Sequence, residues 1–177
     1  MSMRSSIVNT LLVLCFIMVW FAFFQSAHAQ RSESLCKKTE RNIMSFTENN
    51  TKKIASICEG ESSAYLVYRF GEVGGVELEY PHEQNEESWS EFRYSGYFRG
   101  GGVINDARGD YTLSFVNSGV EYTVFQNWSL GNKEYNLGVF VDAPNVSTVL
   151  KANKDTQSGS LELLNGNSKI RNAWSGE

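Results

Sequence analysis

Residues Tyr111 to Trp128 read YTLSFVNSGVEYTVFQNW, two runs of aromatic and β-branched residues hinged at Asn117-Ser118-Gly119. Asparagine and glycine tolerate positive φ, so the hinge predicts a tight hairpin and the flanking runs its two strands. The same two-residue period recurs outward from there. VELEY sets Val76, Leu78 and Tyr80 against Glu77 and Glu79. AYLVYRFG precedes it and stops at Gly71, and FRYSGYFRG places Phe92, Tyr94, Gly96 and Phe98 on one face. YNLGVFVDA and STVLKA follow the hairpin, and SLELL predicts a last strand. Upstream, RNIMSF and TKKIASIC surround TENN as a further hairpin. No stretch of about 12 residues or more after the N-terminal segment carries a helical period, although Pro81 in PHEQNEESW can open one short helical turn. These runs predict an all-β domain, a single antiparallel β-sandwich or small barrel of about eight to nine strands.

The N-terminus reads as an export signal. Arg4 precedes the unbroken apolar run Leu11 to Phe24, and Ala27-His28-Ala29 places small residues at both positions that a signal peptidase reads. The run is short for a membrane span of roughly 20 residues, and an uncleaved anchor is the alternative. The expected division is a signal peptide over 1–29, one β domain over 30–165 and a disordered polar tail over 166–177. Cleavage leaves 15 of the 16 basic residues against 20 acidic ones, five net negative, which gives no electrostatic footprint for nucleic acid. It also leaves Cys36 and Cys58, which in an exported chain predict one disulfide.

His82 is the single histidine after the signal, and it follows Pro81 in an acidic loop. A serine triad would need it as base and zinc would need more ligands than one histidine and two bonded cysteines supply. The chain is therefore read as a non-enzyme with no cofactor and no metal. A carboxylate-pair hydrolase is the less favoured enzyme reading, since its acid needs a burial that outward-facing glutamates lack.

Two features stand out from the β pattern. Arg99-Gly100-Gly101-Gly102 lacks the spaced glycines and following helix of a phosphate loop. It is either a flexible strand connection or, with Arg108, an adaptable loop suited to a partner's cleft. Between Phe70 and Arg93 the charged residues are all glutamate, among them Glu83, Glu86, Glu87 and Glu91. Such a run is a solubilising surface, or one-signed charge that steers a basic partner.

In order, YLVYRFG, VELEYP, RGGG and the aromatic hairpin over roughly Cys58 to Phe125 resemble a family of small exported bacterial β proteins. The resemblance implies a periplasmic β domain and no particular activity. By a looser analogy of architecture, periplasmic inhibitors of lysozyme and immunity proteins against wall hydrolases share this size, compartment and fold class. The expectation is a binding domain for a periplasmic protein, such as a basic peptidoglycan hydrolase. Arg99 to Gly102 and Arg108 would form the probe, and Glu83, Glu86, Glu87 and Glu91 the steering surface. The alternative is a β domain that holds a small molecule or envelope ligand in its interior.

Overall fold

The alternating runs fold as strands because each has a face to bury and at least one ladder partner beside it. The structure is a computed structural model that describes residues 33–173. The expected signal peptide lies outside the described residues. Four strands come first: β1 (Arg41–Glu48), β2 (Ile54–Glu59), β3 (Leu66–Glu72) and β4 (Gly75–Tyr80), with the single 3-10 turn η1 (Glu61–Ser63) between β2 and β3. A second 3-10 helix, η2 (Glu86–Glu91), leads into β5 (Arg93–Arg99), β6 (Arg108–Asn117), β7 (Val120–Ser129), β8 (Glu134–Ala143) and β9 (Val146–Gly159). The chain closes with the 3-10 helix η3 (Leu161–Leu164) and the short β10 (Arg171–Asn172).

All ten strands belong to one curled sheet, a half-barrel ordered β10-β5-β6-β7-β8-β9-β1-β2-β3-β4. Only β10 beside β5 is parallel. The curl is made by β9, which pairs with β8 through Val146 to Lys151 and then with β1 through Ala152 to Gly159. Between Asn153 and Ser158 five steps of β9 oppose two of β1, and such a bulge bends a strand and tightens its twist. Thr156 replaces the lost ladder bond, its hydroxyl accepting the Thr47 N–H at 2.9 Å.

The concave face is filled. Ile43, Phe46, Leu66, Tyr68, Trp89, Phe92, Leu113, Val124, Val139 and Leu161 are buried together there. At one end Phe115 stacks between Tyr80 at 4.6 Å and Tyr122 at 5.0 Å. Towards the other end η3 inserts Leu161 and Leu164. Gln126 anchors it, accepting from the Leu161 N–H at 2.9 Å and the Ser160 hydroxyl at 3.1 Å.

Several expectations change. The strand count is ten, because the short β10 adds an edge beside β5 in the segment expected to be a tail, opposite the expected edge strand β4. SLELL is a 3-10 helix rather than a strand: Ser160 caps it by accepting from the Glu162 N–H. The turn expected at Pro81 starts five residues later, where the Asn85 side chain accepts from the Glu87 N–H. The polar segment after Asn165 is ordered as far as Ala173, since Ile170 is buried and β10 pairs with β5. Residues 174–177 of that segment lie outside the described residues. The central hairpin turns at Ser118 and Gly119, both at positive φ, with Asn117 as the last residue of β6.

Candidate functional site

The β5–β6 connection is a hairpin tip, because the ladder runs up to the Arg99–Arg108 pair before the loop begins. Its glycines do not leave it slack. Arg99 spans the base, donating from Nε at 3.2 Å and Nη2 at 3.0 Å to the Asp106 carbonyl. The Gly102 N–H donates to the Asn105 carbonyl at 2.8 Å, and the Leu130 N–H to the Ala107 carbonyl at 3.0 Å. The Asp106 carboxylate lies against Gly131 in the β7–β8 turn, where a Cβ would collide with it. Braced from within and from the side, the loop turns Val103 and Ile104 outward, 107% and 92% exposed.

Beneath the tip, Phe98, Gly109 and Trp128 share one row across β5, β6 and β7. Gly109 has no side chain, so the Trp128 indole lies over it, 6.2 Å from the Phe98 ring. Phe98 is 58% exposed and Leu130 is exposed beside the loop it holds. Leaving an aliphatic or phenyl side chain in water rather than burying it forgoes roughly 1.5–3 kcal/mol each. Apolar side chains gathered at one exposed hairpin end make it the candidate contact surface. On the opposite face of the same two strands Arg108 lies 5.7 Å from the Tyr97 ring centroid and 3.5 Å from Asp110.

The glutamates lie elsewhere. Glu83 precedes η2, and Glu86, Glu87 and Glu91 are on it. Glu86 accepts from Lys169 at 2.9 Å, and that hydrogen bond holds its carboxyl below the usual range. Glu91 accepts from the Tyr80 hydroxyl at 3.0 Å, and burial together with that bond pushes the phenol up to about 12. This cluster adjoins Arg93 at the start of β5, whereas the loop follows Arg99 at its end. Six extended residues separate them by roughly 20 Å. The structure therefore does not bring the arginine loop and the glutamates into one site.

A third cluster was hidden in the sequence. Residues 33–40 strap across the outer face of β2 and β3, held by the Cys36–Cys58 disulfide and by the Leu35 N–H donating to the Ser56 hydroxyl at 3.0 Å. The strap explains why β2 is buried at all six positions, although only one of its faces meets the core. Under it Arg69 donates to both Glu40 oxygens, at 2.6 and 2.9 Å, and to Glu79 at 2.5 Å. The Glu40 side chain is 0% exposed and that of Arg69 2%. Burial opposes the charge on Glu40. Hydrogen bonds from Arg69, the Lys37 N–H and the Tyr65 hydroxyl outweigh it and keep the carboxyl below its ordinary value. Cys36, Glu40 and Cys58 are close enough to suggest a metal site, but the sulfurs are bonded to each other and Glu40 to Arg69.

Sequence reasoning missed Val103, Ile104, Phe98 and Leu130 as surface residues. The signal was present: two β-branched residues in a glycine-rich loop break the rule that exposed connections are polar. No family model, curated protein or solved structure matches the chain.

Proposed function

We propose that this chain is an exported protein-binding domain, an inhibitor or immunity protein directed at a periplasmic protein such as a peptidoglycan hydrolase. The observation that carries the reading is the braced β5–β6 tip with Val103 and Ile104 held outward. A pre-ordered loop loses little entropy on docking, so its apolar contacts translate more fully into affinity. Arg99 keeps the loop in shape, Val103 and Ile104 enter the partner's cleft, and Arg108 pairs with acidic groups at its mouth. Glu83 and Glu87 act at a distance, steering a basic partner before contact. The filled concave face weighs against the reading of an interior ligand carrier.

The test is binding of the purified protein to a panel of peptidoglycan hydrolases at low and high salt, with hydrolase activity read in parallel. Val103→Asp with Ile104→Asp should raise the dissociation rate by about a hundredfold, as expected for loss of a central apolar contact. Arg99→Ala should do the same by about tenfold through loosening the loop. Glu83→Gln with Glu87→Gln should slow association chiefly at low salt. A hydrolase complex indifferent to the tip substitutions would overturn the assignment of the site.

A further inference from the structure

Of the six arginines among the described residues, four have partners. Arg41 pairs with Glu59, Arg69 with Glu40, Arg108 with Asp110, and Arg99 with the Asp106 carbonyl. The remaining two, Arg93 and Arg171, form no ion pair among the described residues. They are also neighbours, set side by side by the parallel register of β10 on β5. Adjacent strands lie about 4.8 Å apart, so this register brings two like charges together, which costs stability unless something answers them.

Both arginines line one cleft of about 150 Å³ at the seam where β4 approaches β5 and β6. Glu91 and Glu121 line the same cleft, with Tyr80 and Phe115 as its aromatic wall. Among the described residues neither glutamate forms an ion pair with either arginine, and the Glu121 side chain forms no ion pair. Two positive and two negative groups thus share a small space without neutralising one another. A volume well below the roughly 300 Å³ at which drug-sized pockets begin suits a ligand the size of one amino acid.

We propose that this cleft binds a small zwitterion of the α-amino acid type. The carboxylate sits between Arg93 and Arg171, whose forks match it in geometry. The ammonium faces Glu121 and Glu91, and the aliphatic part rests against Tyr80, whose ring covers the buried Phe115. The site is separate from the β5–β6 tip and does not depend on the protein-binding reading.

Calorimetric titration of the purified protein with glycine, L-alanine and D-alanine tests it, with acetate and methylammonium as the two halves. The amino acids should bind with dissociation constants at or below about 10 mM, and each half at least about tenfold more weakly. Arg171→Ala and, separately, Arg93→Gln should each weaken the amino acids by about tenfold or more. Both side chains are exposed and carry like charge, so neither substitution should lower the melting temperature. Glu121→Gln should weaken the amino acids while leaving acetate as it was. Absence of amino-acid binding up to about 10 mM, or acetate binding as tightly as alanine, overturns the proposal.

Discussion

The two halves of the half-barrel treat their outer faces in opposite ways. Across β2 and β3 the outer face is roofed by the strap, stitched by a disulfide and filled with an enclosed Arg69–Glu40 pair. Across β6 to β8 it is open: the half-buried Phe125 lies over Gly138, and its ring is 4.7 Å from that of the exposed Phe140. One half spends its polar chemistry on holding itself together. The other leaves its hairpin ends free, and its tip carries the most exposed aliphatic side chains among the described residues. Stability and the proposed recognition therefore sit in different halves, and substitutions should separate them.

The largest effect belongs to the roofed half. Arg69→Ala leaves Glu40 enclosed without its main partner, and removing one member of a buried pair typically costs about 3–5 kcal/mol. Urea unfolding of the purified variant measures it. Next comes the double change Cys36→Ser and Cys58→Ser, which opens a 22-residue loop and should cost about 3 kcal/mol. The two losses should not add. The strap that carries Glu40 is the segment the disulfide holds, and residues that share one network couple.

Acid should act on the same half. The Glu40 carboxyl is held below its unfolded value of 4.5, as is that of Glu48, where burial is outweighed by the Thr51 and Asn50 N–H groups and the Thr51 hydroxyl. A depressed folded value gives stability that is complete above about pH 4.5 and is lost as pH falls through the folded values. Unfolding free energy measured from pH 6 down to pH 3 should therefore decline. The decline should be shallower in Arg69→Ala, where Glu40 no longer has its strongest reason to stay ionised.

Gly109→Ala sits between the two extremes. Its Cβ would meet the Trp128 indole and Tyr111 Cε2, the latter at 2.9 Å, so the indole must move. Overpacking of this kind costs about 1–3 kcal/mol, and the Trp128 indole N–H resonance should shift with it. The smallest stability effect is expected at the tip. Val103→Asp with Ile104→Asp should change unfolding by no more than about 0.5 kcal/mol, because neither side chain packs on the fold.

How much of this was legible depended on whether a residue's role is local. The strand runs and the Asn117-Ser118-Gly119 turn foretold β1 to β8 and the first part of β9, because alternation and turn chemistry are written in neighbouring residues. The disulfide was legible because Cys36 and Cys58 are the two cysteines outside the N-terminal segment expected to be a signal. The 3-10 helix at Leu161 was not, since its cause is distant: Gln126 binds the Leu161 N–H from across the sheet. Nothing local marks Arg69 in YLVYRFG as half of a buried pair, because Glu40 lies 29 residues upstream and only the strap brings it there. Arg99 could be singled out as a loop residue, but its bond to the Asp106 carbonyl, which makes it a brace, depends on how the loop folds back. The pairing of Arg93 with Arg171 was equally invisible, because it needs the polar tail to return beside β5.

The most direct test of the division between the halves compares two variants in two assays. Arg69→Ala and the Val103→Asp, Ile104→Asp double variant are each measured for urea stability and for hydrolase binding below the unfolding transition. The expected result is a crossed pattern: Arg69→Ala loses stability and binds normally while folded, and the tip variant keeps stability and loses the complex. A tip variant that binds as the wild type does, or an Arg69→Ala protein that is folded yet cannot bind, would contradict it.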